Sequence, residues 1–285
     1  MLQGVWLPII TPFRDDEVDY DSYQKLIEHY LKRGISGLIP LGTTGESPTV
    51  SEAEFETITS KTIEFVNGRV PIFIGVGGNC TKKVVQQIRI VEKYKIDGIL
   101  SVCPYYNRPD QNGIYQHFRQ LSEATSLKIV IYNIPYRTGR NVENDTLRKL
   151  AELKNIIGLK DSCGDIRQSM DLLLDHPEGF SILTGEDILY YPTLALGGNG
   201  GILAAAHLKT NEYVDIYNLV KNNDHQTALE KWRPLTKIIP LLFKEPNPAP
   251  VKYCLQKLGM ITSSEIRLPL TQISSELAKE LDGIG

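Results

Sequence analysis

The sequence predicts an α/β fold: a (β/α)8 barrel of the TIM type over residues 1–206, with a C-terminal helical extension over residues 207–285 packed on it. The final barrel helix is free to run past residue 206. Three observations carry this prediction. Short, nearly continuous apolar runs recur eight times, as parallel strands covered on both faces require. The longer segments between them are charged, with apolar residues at helical spacing. After Ala206 the strands stop and only helical periodicity continues. Eight alternations suit a closed barrel, typically about 250 residues long, better than a doubly wound sheet, the alternative, which needs fewer strands.

The first strand is predicted over Val5–Ile10 and the first helix over Asp21–Arg33. In that helix Tyr23, Leu26, Ile27, Tyr30 and Leu31 form one stripe, Lys25, Glu28 and Lys32 stay wet, and Gly34 ends it. Strand Gly37–Leu41 follows. Ser51-Glu-Ala-Glu54 then reads as a capping box, with Ser51 as N-cap, opening a helix toward Val66 that stops at Asn67-Gly68. Strand Pro71–Val76 leads to helix Thr81–Tyr94, strand Gly98–Val102 to helix Asn112–Thr125, and strand Lys128–Asn133 to helix Asn144–Leu153. Strand Ile156–Lys160 precedes helix Asp165–Asp175, strand Ser181–Thr184 precedes helix Ile188–Leu196, and Gly201–Ala204 is the eighth strand. Helices Glu212–Lys221, Gln226–Leu242, Ala249–Leu258 and Ser274–Leu281 make the extension.

With 285 residues, 41% hydrophobic and 23% charged, the chain can bury enough apolar surface to offset ordering entropy and fold alone. Lys plus Arg (31) nearly balance Asp plus Glu (34), so a net charge of −3 offers no basic field to nucleic acid, which is not an expected partner. Cys80, Cys103, Cys163 and Cys254 are scattered without a CxxC pair, which predicts reduced, mostly buried thiols. The N-terminus has no cationic segment before a long apolar run, and no run reaches the ~20 residues of a membrane-spanning helix. A cytoplasmic protein without a membrane partner is expected.

In a barrel, function sits where loops leave the C-terminal ends of strands. Strand two runs into Gly42-Thr43-Thr44-Gly45-Glu46, strand four into Pro104-Tyr105-Tyr106-Asn107, and strand five into Tyr132-Asn133 and then Arg137-Thr138-Gly139. Strand six ends in Lys160-Asp161. A lysine ending a core strand needs compensation. Its stem can pack while the ammonium snorkels or pairs with an acid such as Asp161. Alternatively, desolvation lowers its pKa from about 10.4 and releases a neutral amine that attacks a ketone to form a Schiff base. In that case the hydroxyls of Tyr106, Tyr132, Thr43 and Thr44 can shuttle the protons of carbinolamine and enamine formation. Taken singly, the tyrosines suit a core or rim, and Gly42–Gly45 a tight turn. Arg137 offers a two-pronged donor to a carboxylate, or is solvated surface.

Gly75-Val-Gly77-Gly-Asn-Cys80 and Gly198-Asn-Gly200-Gly-Ile-Leu203 both lack the third glycine of the dinucleotide fingerprint. There is no P-loop and no HExxH, and His29, His117, His176, His207 and His225 are dispersed. Metal and nucleotide chemistry therefore rank below the lysine.

Over nearly its whole length the chain resembles the class I, pyruvate-dependent aldolases, the family of N-acetylneuraminate lyase and dihydrodipicolinate synthase. The carriers are Gly42-Thr-Thr-Gly-Glu46, Pro104-Tyr-Tyr-Asn-Arg-Pro109, Tyr132-Asn-Ile-Pro135 with Arg137-Thr-Gly139, Gly158-Leu-Lys160-Asp161, Thr184-Gly-Glu-Asp187 and Asn247-Pro-Ala-Pro-Val-Lys252. The last of these and Arg137 resemble the synthase branch, since sugar-acid lyases of the same fold lack that arginine. The resemblance implies a homotetramer, a dimer of dimers, needing no metal or organic cofactor. It would condense pyruvate with L-aspartate 4-semialdehyde in lysine (diaminopimelate) biosynthesis. Lys160 would form the Schiff base with pyruvate C2 and Tyr132 would be the general acid/base. Thr43 and Tyr106 would complete a proton relay, Tyr106 being lent by the neighbouring subunit. Thr44 and Ile202 would touch pyruvate, Gly185 would line its pocket through the backbone, and Arg137 would bind the semialdehyde carboxylate.

The chain also departs from the family pattern. Tyr136 stands where a small Ser is common and Asp161 where Glu is common, both able to alter the second substrate pocket. At the family's lysine-inhibitor site Asn79 and Tyr105 are kept, but Glu52 and Phe55 replace histidines and Lys83 replaces an acid. A cation there cannot take the inhibitor's ammonium, so weak or absent inhibition by lysine is expected. The alternatives are a pyruvate-type aldolase or lyase acting on a sugar-derived 2-keto acid, and a noncatalytic barrel that binds a keto acid.

Overall fold

The computed structural model describes residues 2–283. The chain opens with β1 (Gly4–Leu7), buried throughout, and a hairpin of β2 (Phe13–Arg14) and β3 (Glu17–Val18). Helix α1 (Tyr20–Leu31) starts where the Asp19 carboxylate accepts from the Ser22 N–H, and it buries Tyr23, Leu26, Ile27 and Tyr30, most of the expected stripe. After β4 (Gly37–Leu38), α2 (Glu52–Val66) begins with both hydrogen bonds of the Ser51/Glu54 capping box and ends at a left-handed Asn67.

Strands and helices then alternate: β5 (Phe73–Gly75), α3 (Thr81–Val91), β6 (Gly98–Val102), α4 (Gln111–Ala124), β7 (Lys128–Asn133), the single turn α5 (Pro135–Thr138) and α6 (Asn144–Ala151). Next come β8 (Ile156–Asp161), α7 (Ile166–Leu174), β9 (Ser181–Thr184), α8 (Tyr190–Ala195) and β10 (Gly200–Ile202). Four helices close the chain: α9 (Thr210–Lys221), α10 (His225–Leu242), α11 (Ala249–Lys257) and α12 (Ser275–Asp282).

Eight strands form one sheet in the order β4-β1-β10-β9-β8-β7-β6-β5, and the paired strands run parallel. The Leu38 N–H donates to the Pro71 carbonyl at 3.1 Å, two residues ahead of β5, so the sheet nearly closes on itself. This is the (β/α)8 barrel with C-terminal helices that the alternation predicts.

By packing, the chain divides into two compact units, residues 2–4 with 72–202, and residues 5–71 with 203–283. In the first, Ile74, Ile99, Ile131, Leu159 and Ile182, related by register, build a dry apolar layer on one face of β5 to β9. In the second, the buried Tyr30 hydroxyl donates to the His207 carbonyl at 3.0 Å. The His207 ring takes the Ile10 N–H on Nε2 at 3.2 Å and gives Nδ1–H to the Ala204 carbonyl at 2.8 Å. Burial holds its pKa down to about 4, so this histidine is a neutral structural group.

Several local features differ from the sequence expectation: β1 ends at Leu7 rather than Ile10, and β5 spans only Phe73–Gly75. The β2–β3 hairpin turns on Asp15 and Asp16 at φ 55° and 64°, and its turn carries no glycine to announce it. Strand β4 stops at Leu38 rather than Leu41, whose φ of 59° breaks the extended backbone. All four cysteines are free, but only Cys103 is buried, while Cys80 is exposed at the start of α3. Among the described residues no helix is long and apolar enough to cross a membrane.

Candidate active site

Side chains alternate along a strand, so Lys160 and Asp161 at the end of β8 point to opposite faces. In a parallel sheet, residues in register share a face. Tyr132 of β7 and Leu183 of β9 are in register with Lys160, whereas Asn133 and Thr184 are in register with Asp161. Lys160 is accordingly only 6% exposed, with Nζ 4.1 Å from the centre of the Tyr132 ring. Asp161 turns toward α7 instead, accepting from the Cys163 N–H at 3.0 Å and the Ser169 hydroxyl at 2.5 Å. The alternative of a Lys160–Asp161 pair is thus excluded by the pleat.

Burial pushes the Lys160 amine down from 10.5 to about 8, against the attraction of Asp187 and Glu186. The same burial drives the Tyr132 phenol well above its ordinary value, so it keeps its proton at neutral pH. It also raises the Glu186 carboxyl, although Lys160 and Arg137 pull the other way. Gly185 makes room for this arrangement. A Cβ there would stand 2.6 Å from Lys160 Cε and 2.3 Å from Ser162 Oγ, and the Gly185 N–H is tied to the Asp161 carbonyl at 2.7 Å.

Arg137 lies on α5, exposed, with its guanidinium 5.4 Å from the Tyr136 ring centre, and its charge is felt at Lys160, Tyr132 and Glu186. Ile202 ends β10 at 2% exposure. Tyr106 is a different case. It follows β6 at a positive φ of 72° and is 88% exposed, so the fold does not bring it to the buried amine of its own chain.

In the other unit, Gly42–Glu46 follows β4. Thr44 is buried and its Oγ1 accepts from Asn247 Nδ2 at 2.9 Å. Thr43 is half-buried, and its carbonyl accepts the Glu46 N–H at 3.1 Å. Glu46 and Lys252 form an ion pair with both side chains fully buried.

Sequence reasoning left Ser162, Glu186 and Asp187 without roles. Ser162 was within reach of the period-two pattern, standing two residues beyond Lys160 on the same face. Glu186 and Asp187 belong to a recognised motif, but their proximity to Lys160 comes from the β8–β9 pairing, which no local pattern encodes. Chemically, a buried amine that loses its proton easily, a phenol that keeps its own, and a guanidinium within electrostatic range suit carbonyl addition followed by proton transfer. Among the described residues no three His, Cys, Asp or Glu side chains are grouped to hold a metal ion.

The sequence matches the profile of the dihydrodipicolinate synthetase family over residues 1–284. It is 58% identical over 281 residues to 4-hydroxy-tetrahydrodipicolinate synthase 2 of Clostridium acetobutylicum, covering 99% of this chain and 98% of the relative. Dihydrodipicolinate synthase from Thermotoga maritima superposes with a TM-score of 0.97 at 38% identity, over 100% of this chain and 97% of that one. The chloride-inhibited dihydrodipicolinate synthase from Acinetobacter baumannii, solved in complex with pyruvate, superposes with a TM-score of 0.96 at 33% identity, over 100% and 98%. With profile, sequence and backbone agreeing along the whole length, the chain belongs to the dihydrodipicolinate synthetase family.

Proposed function

We propose that this chain condenses pyruvate with L-aspartate 4-semialdehyde to 4-hydroxy-tetrahydrodipicolinate, in lysine (diaminopimelate) biosynthesis, through a Schiff base on Lys160. The observation that carries this reading is the buried Lys160 amine, held near pKa 8 against the Tyr132 ring. The Lys160 nitrogen adds to pyruvate C2, and loss of water leaves an iminium that draws electrons from C3. Removal of a C3 proton gives the enamine, which attacks the aldehyde carbon; the amine of the second substrate then takes C2 from Lys160 and frees the enzyme. Tyr132 donates and recovers protons at the carbinolamine and at the new alkoxide, with Thr43 and Tyr106 completing the relay. Thr44, Ile202 and the Gly185 backbone hold pyruvate. Arg137 takes the semialdehyde carboxylate, a role that suits an exposed guanidinium.

The working form is a homotetramer, a dimer of dimers, in the cytoplasm. Two surfaces support assembly. Tyr106 is displayed at 88% exposure, available to a neighbouring copy, and Ile166, Met170 and Leu174 leave an apolar line at successive four-residue steps on α7. The test is borohydride reduction in the presence of pyruvate, followed by mass spectrometry of the Lys160 peptide. An adduct on Lys160, lost in Lys160→Ala, together with turnover of aspartate semialdehyde in preference to cleavage of a panel of 2-keto-3-deoxy acids, is the expected result. An unmodified Lys160 peptide, where a control aldolase is trapped, overturns the mechanism; preferred turnover of a sugar acid overturns the substrate.

A further inference from the structure

The loop Gly42–Glu46 is held by residues from both ends of the chain. Asn247, just ahead of α11, donates from Nδ2 to Thr44 Oγ1 at 2.9 Å. Lys252, in the next turn, pairs with Glu46 Oε1 and donates to the Glu265 carbonyl at 2.9 Å. The Arg267 N–H donates to Glu46 Oε2 at 3.2 Å, and the Thr11 hydroxyl donates to the Gly45 carbonyl at 2.7 Å. Gly45 has no slack either, since a Cβ there would stand 2.9 Å from the Leu41 nitrogen. Thr44 is therefore fixed in place, 4% exposed, beside an Asn247 that is 7% exposed.

A threonine hydroxyl has one proton to give and two lone pairs to fill. With the Asn247 amide N–H on one lone pair, the Thr44 proton is turned toward a second acceptor, and among the described residues none takes it. A carboxylate oxygen, which only accepts, matches that proton; an ammonium or amide N–H does not. Asn247 Oδ1 is buried without a partner, so the contact this side chain keeps is the one made by its nitrogen. We infer that Asn247 is a positioning residue that holds Thr44 as a hydrogen-bond donor and thereby selects a substrate with a carboxylate oxygen beside it. The inference deepens the pyruvate reading above and rests on it.

The test is a double-mutant cycle read as the pyruvate concentration that half-saturates the borohydride-trapped Lys160 adduct, with thermal unfolding as the check on folding. Asn247→Asp keeps the shape but replaces the donor by an acceptor, which captures the Thr44 proton. Asn247→Leu keeps approximate size and neither captures nor directs it. Half-saturating pyruvate is expected to rise by about tenfold or more in Asn247→Asp, about 1.4 kcal/mol or more, and by less in Asn247→Leu. The KM for semialdehyde and kcat at saturating pyruvate stay within about twofold, and in a Thr44→Val background Asn247→Asp adds no more than about twofold. If Asn247→Asp does not fold, the Asn247→Leu arm and its coupling to Thr44→Val carry the test alone. A rise of the same size with and without the Thr44 hydroxyl, or no rise in the Asn247 variants while the wild type is trapped by pyruvate, overturns this inference alone. Absence of the adduct from the wild type overturns the pyruvate reading and this inference together.

Discussion

Replacing Lys160 by Met removes the amine while keeping an unbranched side chain, and it should stabilise the protein while ending Schiff-base formation. The folded chain holds this amine near pKa 8, against 10.5 for a lysine in water. At pH 7 both folded and unfolded chains carry the proton for the most part, so folding takes an ammonium out of water at a net cost of about 3 kcal/mol. The attraction of Asp187 and Glu186 is already inside that balance. Because the folded-state pKa is depressed, the unfolded chain binds more protons between pH 8 and 10.5, and the wild type gains stability from this group as pH rises through that window. Lys160→Met gains none. Its advantage is therefore greatest, about 1–3 kcal/mol, at pH 7 and below, and fades as pH approaches 10.5; each kcal/mol moves Tm by about 2–4 °C in a large single domain. Thermal unfolding of both proteins across pH 7 to about 10.5 measures the difference. A variant less stable than the wild type at pH 7, or a gap that does not change with pH, would refute the claim that the amine is held against its own hydration.

Arg137→Ala should leave pyruvate trapping on Lys160 intact and raise the KM for semialdehyde by about tenfold or more, the worth of a charge-assisted hydrogen bond; a trapping defect of the same size would remove Arg137 from the second substrate. Tyr132→Phe should cut kcat by about 10²- to 10⁴-fold while the protein still folds, read by steady-state kinetics and circular dichroism. The rate of pyruvate capture should rise with pH and level off above about 8, as the neutral amine becomes the major form; a profile still climbing at pH 10 would place the amine in water. Lysine at physiological concentrations should inhibit weakly or not at all, because Lys83 replaces an acid, with Glu52 and Phe55 in place of histidines; strong inhibition in a steady-state assay overturns that reading.

The barrel was legible because a strand buried on both faces writes itself as an unbroken apolar run, as Ile129-Val-Ile131 and Ile156-Ile-Gly-Leu159 do. The start of α2 was legible because its cap was chemically explicit, Ser51 accepting the Glu54 N–H, whereas α1, α4 and α10, capped by Asp19, Asp110 and Asp224, begin one residue before the predicted starts. The two-residue strands of the β2–β3 hairpin were not, since its turn depends on left-handed aspartates and on Glu265, which accepts from both Asp15 and Asp16 some 250 residues along the chain. The site divides in the same way. Lys160 and Tyr132 could each be picked out as polar residues at the ends of apolar strands, but their contact follows from strand register. Whether Lys160 faced Asp161 or turned away from it was a question of pleat, answerable only once β8 had been shown to extend through Asp161.

A second lysine shows why a depressed pKa does not by itself nominate a nucleophile. Lys252 is as deeply buried as Lys160, and its amine is likewise pushed down to about 8 by desolvation. Its surroundings give it a different task. It is in contact with Glu46, donates to the Glu265 carbonyl at 2.9 Å and sits 4.3 Å from the Phe13 ring centre, with no surface open at all. An ammonium paired with a buried carboxylate has no lone pair to offer, and a carbonyl carbon has no route to it; losing Glu46 would strand a buried charge. Lys160 keeps 6% of its surface, lies at a strand end where Gly185 leaves space beside its stem, and has a phenol rather than a carboxylate against its nitrogen. Burial loosens the proton in both residues. Only at Lys160 is the freed electron pair open to an incoming carbonyl, and the two aims of the fold, fastening one loop and arming one amine, are met by the same residue type in two kinds of enclosure.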